Sequence, residues 1–341
     1  SIGSAIGLGN LWGFPYKMGS TGGFAFLVVY LILVVLVGRL LMMGEFALGR
    51  KTGLGVGAYA KLGQKYKVVG WMAAICPFLI LGFYSVLAGM TLRYCVGFLV
   101  QIFGMDGFAG QGSGFFGYLL YDTKSMVLFL ALAMLVTMVI VMGGVQGGIE
   151  KFGKVAMPAL GVILIGIVIF VAFQPGAIEG YKFMFKPDFS VFSNPDIGFF
   201  GVLKTAAGQM FFSLSLGMGA MITYGSYLGK DANISRNAWI IPAADTIAAL
   251  LAGLILWVTG CLVYRKLSEP KRKRMLMILG IYIFLQEMVK NLVLILLGEF
   301  SWGYLPFHLC GINILLIFFD IFKPCISAFL GNDGFFIECC K

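Results

Sequence analysis

Charge is scarce in this sequence. Only 12% of its 341 residues are Asp, Glu, Lys or Arg, where soluble domains carry about a quarter. With 60% hydrophobic residues and a mean hydropathy of +0.95, the chain cannot cover a water-facing surface, and a soluble domain is excluded. Histidine is almost missing: His308 stands alone, so no zinc cluster can be built. The seven cysteines are scattered apart from Cys339-Cys340, and none forms a CxxC pair. A redox pair and a disulfide scaffold are both set aside. No separate signal peptide is expected among these residues. The chain opens on Ser1 and is apolar at once, so the true N-terminus is expected upstream. What the sequence does have is a series of apolar runs, several reaching the roughly 18 residues of a spanning helix. It reads as an all-α polytopic membrane protein. The net charge of +10 is assigned to basic loops at the membrane surface and not to nucleic-acid binding.

About nine spanning segments follow from these runs. They lie at about 3–17, 24–48, 70–101, 124–142, 155–173, 201–228, 237–263, 274–297 and 305–323. The loop after the second holds Arg50, Lys51, Lys61, Lys65 and Lys67, which places it in the cytoplasm. Lys151, Lys154, Lys230 and Arg236 fit the same orientation. One loop breaks the pattern. RKLSEPKRKR, residues 265–274, puts six basic residues where the alternation demands the outer face. Either a helix is miscounted or the chain beyond about 260 did not evolve with what precedes it.

Two segments are interrupted. Gly7-Leu8-Gly9-Asn10 lies mid-way along the first and Ser213-Leu214-Ser215-Leu216-Gly217-Met218-Gly219 mid-way along the sixth. Backbone freed from a helix in hydrocarbon must line a cavity or be buried in protein. Paired Gly-interrupted spans point to a transporter site between inverted repeats, where loose carbonyls hold a cation and half-helix N-termini face an anion. The plainer alternative is close helix packing on small residues. The side-chain oxygens of Asn10, Ser213 and Ser215 at the breaks favour the site.

These residues carry a resemblance. GSAIGLGNLWGFPY, GGFAFLVVYL, GEFALGR and QMFFSLSLGMGAMITYGSY resemble the neurotransmitter:sodium symporters, amino-acid transporters of the LeuT fold, over residues 1 to about 258, with the bacterial branch most similar. The resemblance implies a partial LeuT-type inverted-repeat fold with helices one and six unwound mid-membrane. It implies sodium-coupled amino-acid symport at a bacterial inner membrane, with no enzymatic step. One sodium would be held by the Ala5 carbonyl, Asn10, Ser213 and Asp245. Asp245 would supply the charge that a chloride ion supplies in some relatives, so the resemblance implies that chloride is not required. A helix N-cap or a loop-facing acid is the other reading of Asp245, which falls near the expected start of segment seven. A second sodium would use the Gly3 and Ile6 carbonyls, with its other half on a late helix that the sequence does not display. The substrate carboxylate would meet the Leu8 and Gly9 amides and Tyr84. Ile80, Phe212, Ser215 and Met218 would line an apolar pocket, implying an apolar or aromatic side chain; simple core packing is the alternative for this stripe, and an interfacial aromatic is the alternative for Tyr84.

The chain also departs from the family. Gly13 stands where members carry the Arg that closes the outer gate. Glu45 matches a buried family glutamate and reads as structural. YLPFHLCGINILLIFF resembles YwaF-like integral membrane proteins, and His308 and Cys310 lack an orienting acid for thiol chemistry. The expected organisation is therefore a symporter-like bundle over 1–260, namely one repeat and the first two helices of the next, and an unrelated tail over 261–341. Coupling is expected to be impaired in such a chain. The expected partners are a small amino acid and the lipid bilayer, with no nucleic acid; oligomeric state is left open. The alternative is a non-transporting chimeric or YwaF-like membrane protein.

Overall fold

In a bilayer core every backbone N–H and C=O must be bonded within the protein, which favours helices throughout. The computed structural model describes residues 9–102, 122–173, 177–229 and 231–258. Among them there is no strand. Segments eight and nine, the basic run 265–274 and the His308/Cys310 pair lie outside the described residues.

The first described element is a wide π-helical turn, Gly9–Gly13, which tightens into α1, Phe14–Ser20. The second span comprises α2, Phe24–Leu33, a π-helical turn at Val34–Gly38, and α3, Arg39–Thr52. Gly53 ends α3 in the left-handed conformation (φ 64°), its N–H bonded to the Gly49 carbonyl, and Arg50 and Lys51 lie in the last turn, where cations suit the helix dipole. A short α4, Ala58–Leu62, precedes the long α5, Lys67–Ile102. Next come α6, Thr123–Met142, and α7, Lys151–Ala172. The sixth span is split into α9, Gly198–Ser213, and α10, Ala220–Tyr227, and the seventh is α11, Ile234–Val258. Between α7 and α9 stands α8, Ala177–Phe185. Among the described residues, five helices are long and apolar enough to cross a membrane.

Three expectations need correction. Segment five starts earlier than 155, because Glu150 and Lys154 are not in a loop but form a 2.7 Å ion pair one helical turn apart. The loop with Pro175, Pro187 and Pro195 contains a helix, α8. Segment seven starts at Ile234, where the Asn233 carboxamide accepts the Arg236 N–H at 2.9 Å and caps the first turn. Asp245 is therefore twelfth in a helix of 25 residues, not an N-cap or a loop acid.

The main core gathers Phe14 and Met18 of α1, Phe26 and Tyr30 of α2, Met42 and Phe46 of α3, and Met210 of α9. A second core joins α7 to α11 through Leu160, Leu164, Ile167, Ala248, Ala252 and Ile255. The split sixth span is part of the main core: α9 packs on α2 and α10 on α3, while the Gly9–Gly13 turn packs on α11. At the α3–α10 crossing the backbones nearly touch. A Cβ on Gly225 would start 2.6 Å from the Phe46 carbonyl, and one on Gly49 would overlap the Ile222 carbonyl.

Candidate functional site

The break in the sixth span is built by its own residues. Helical bonding runs out after Leu214 N–H to the Met210 carbonyl (3.0 Å); Leu216 N–H reaches back five residues to Phe211 (3.0 Å). Ser215, Gly217 and Gly219 then take positive φ values of 54°, 77° and 75°. Ser215 is the non-glycine positive-φ residue of the described chain, a conformation that stores strain and concentrates at functional sites. The Gly217 N–H, left without a helical acceptor, donates to the Glu45 carboxylate at 2.8 Å. Glu45 thus braces the break from α3, in line with a structural role.

In the first span, Gly7 and Leu8 lie outside the described residues, and Gly9 and Asn10 belong to the π-helical turn. That turn sits directly against the sixth span. Gln209 donates from Nε2 to the Gly9 carbonyl at 3.0 Å. A Cβ on Gly9 would start 2.9 Å from the Phe212 ring, so this glycine is what lets the two spans approach.

Three oxygen-bearing side chains meet there. Asn10 donates from Nδ2 to Asp245 Oδ1 at 2.7 Å and to the Asp245 carbonyl at 2.9 Å. The Ser213 hydroxyl lies 3.0 and 2.9 Å from the two Asp245 carboxylate oxygens and 3.3 Å from Asn10 Oδ1. All three residues are fully enclosed, and Asp245 has no exposed surface. Tyr30 of α2 donates its hydroxyl to Asp245 Oδ2 at 3.3 Å. A carboxylate in such a place needs hydrogen-bond donors or a cation. Here a carboxylate, a hydroxyl and an amide oxygen converge from α11, α9 and the first span, an oxygen set that suits a hard monovalent cation.

Next to this cluster is an apolar one. Tyr84 of α5, buried mid-span, and Met218 pack with Ile80 and Phe212. The Tyr84 and Phe212 rings stack with centroids 6.2 Å apart, and Ser215 is buried in the break itself. Tyr84 is thus no interfacial aromatic. The structure brings together Asn10, Ser213 and Asp245 in one group and Ile80, Tyr84, Phe212 and Met218 in another. Gly3, Ala5, Ile6 and Leu8 lie outside the described residues.

Tyr30, Gln209 and Lys17 were not among the site residues expected from the sequence. Each is a polar group inside an apolar run, and intramembrane polar groups mark functional interiors. That signal was present but could not say which way each side chain faced.

Fold and site together define a polytopic membrane protein of the LeuT type, in which a split helix borders a buried polar cluster. The description of the sodium:neurotransmitter symporter family matches residues 1–103 and 120–270, and the chain belongs to that family. The uncharacterized sodium-dependent transporter YhdH of Bacillus subtilis is 36% identical over 261 residues, covering 75% of this chain and 56% of YhdH. The mouse sodium-dependent neutral amino acid transporter B(0)AT2 is 25% identical over 338 residues, 90% of this chain and 44% of the relative. Among solved structures, MhsT in complex with L-phenylalanine superposes with a TM-score of 0.81 at 32% identity, over 99% of this chain and 83% of MhsT. The chain spans about half the length of the curated relatives it matches.

Proposed function

We propose that this chain carries the binding core of a sodium-coupled amino-acid symporter working by alternating access. The observation that carries this reading is the meeting of Asn10, Ser213 and Asp245 beside an aromatic-lined cluster at a split helix. In this reading sodium is cargo held by Asn10, Ser213, Asp245 and the Ala5 carbonyl. Gly3 and Ile6 give half of a second sodium site. The substrate is an apolar or aromatic amino acid. Its carboxylate meets the Leu8 and Gly9 amides and the Tyr84 hydroxyl, and its side chain lies among Ile80, Phe212, Ser215 and Met218. The phenylalanine complex of MhsT and the neutral amino-acid name of B(0)AT2 support this class. Asp245 supports chloride independence, because a fixed carboxylate already balances the cation. The transport cycle rocks one set of helices against another around the breaks and involves no covalent chemistry.

The test is binding of L-phenylalanine, L-leucine or L-tryptophan to the 341-residue chain, with uptake measured alongside in proteoliposomes. Sodium-dependent binding is the expected result. Its absence for every apolar and aromatic amino acid would defeat the reading. Impaired coupling is also expected, because the sequence displays only half of the second sodium site; robust uptake driven by a sodium gradient would refute that part. The division expected at about residue 260 lies beyond the described residues, and the family match, which runs to residue 270, crosses it. Reading the gene across codon 260 tests the YwaF-like alternative.

A further inference from the structure

We propose that Lys17 is the positioning cation of this site, a latch that ties the first span to the sixth across one side of the pocket through Gln209. The proposal rests on the symporter reading and adds a residue to it. Lys17 lies on α1 between the buried Phe14, Pro15 and Met18. A lysine with its stem in apolar surroundings must carry its ammonium to an acceptor. That acceptor is Gln209 Oε1, at 2.9 Å. Gln209 is itself fully buried, and its other end, Nε2, holds the Gly9 carbonyl. Its carboxamide is therefore fixed at both ends, oxygen toward the cation and nitrogen toward the carbonyl.

Position along the helix gives this chain of bonds its meaning. Gln209 and Ser213 are four apart on α9, so they share a face one turn, about 5.4 Å, from each other. The Lys17–Gln209–Gly9 layer therefore stacks directly on the Asn10–Ser213–Asp245 layer. The Lys17 ammonium also lies 5.9 Å from the centre of the Phe212 ring, within cation–π range, and Phe212 is a wall of the apolar cluster. Gly13 leaves this acceptor to Lys17. A Cβ at position 13 would start 3.5 Å from Gln209 Oε1, so a long side chain there would compete for the same acceptor. Lys17, one turn further along α1, reaches it instead. Any tilt of the first span away from the sixth must break the Lys17–Gln209 bond and release the Gly9 carbonyl. The latch thus holds the pocket closed on the side where the basic loops place the cell exterior.

Lys17→Met removes the charge and keeps the bulk, Lys17→Gln keeps a donor without charge, and Lys17→Arg keeps both donor and charge. Two readouts are made on the purified full chain in sodium. Release of bound radiolabelled L-phenylalanine is expected to speed up about tenfold in Lys17→Met, as fits the loss of one hydrogen bond to a charged group. Lys17→Gln should fall between, Lys17→Arg should restore the parent rate, and the sodium concentration for half-maximal binding should stay unchanged. Amide hydrogen exchange over residues 206–216, measured without amino acid, should quicken about tenfold in Lys17→Met and return with Lys17→Arg. Unchanged exchange in both neutral variants would overturn the latch, as would an Arg variant as defective as Met. If the parent chain binds no L-phenylalanine, the symporter reading fails, and the exchange experiment still decides the latch.

Discussion

Asp245 is the residue on which the candidate cation site turns. Its carboxylate receives the Asn10 amide, the Ser213 hydroxyl and the Tyr30 hydroxyl with no exposed surface. Removing one member of a buried charge pair costs about 3–5 kcal/mol, so Asp245→Asn should raise the half-saturating sodium concentration for L-phenylalanine binding by roughly a hundredfold or more. Chloride added to that variant should recover part of the affinity, because the missing charge is then supplied from solution. Ser213 contributes a single neutral oxygen. Ser213→Ala should weaken sodium binding about tenfold, near the worth of one such contact, while Ser213→Thr keeps the oxygen and should stay close to the parent. A sodium titration of ligand binding measures all three.

At the scale of elements, the split sixth span depends on two kinds of glycine. Gly217 and Gly219 supply the positive φ angles of the break. Gly9, Gly49 and Gly225 supply close approach. An alanine methyl at 225 would meet the Phe46 backbone at 2.6 Å, and backbone has nowhere to move. Gly225→Ala should therefore destabilise by about 1–3 kcal/mol, the usual range for overpacking. Gly44 lies on the same α3, with nothing within 4 Å of its Cβ position. Gly44→Ala is the control and should leave stability unchanged or raise it slightly, through better helix propensity. Thermal unfolding of the two purified variants, followed by a cysteine-reactive dye, separates them. Gly9→Ala should act differently again. Its methyl would press on the Phe212 ring at 2.9 Å, so ligand binding should be lost along with stability.

For the whole molecule, the charge pattern predicts orientation. Arg50, Lys51, Lys61, Lys65 and Lys67 cluster around the turn between α3 and α5, and Arg50 is anchored there by a 2.7 Å bond to the Ala232 carbonyl in the turn before α11. That turn and the α10–α11 turn therefore belong to one membrane face. A cysteine placed at Lys61 should react with an impermeant thiol reagent only from the cytoplasmic side of inverted vesicles. Labelling from the outside of intact cells would reverse the orientation and, with it, the side on which Lys17 closes the pocket.

Composition and pattern alone determined that this protein is helical and membrane-embedded, because scarce charge and long apolar runs leave no other stable arrangement. They also located the interruption at 213–219, since serine and glycine clustered inside an apolar span have no reason to be there unless the backbone opens. The motifs around Asn10, Ser213 and Asp245 were legible one by one. Their meeting was not, because residues some two hundred positions apart in sequence are joined only by packing. Tertiary structure decided that Asp245 lies deep in α11, since Ile234-Ser235-Arg236 reads as loop until the Asn233 cap is seen to extend the helix over it. It decided that Tyr30 belongs to the carboxylate and that Gln209 bridges Lys17 to Gly9. A polar side chain in an apolar helix announces that it needs a partner, but only the crossing of helices determines which partner is within reach.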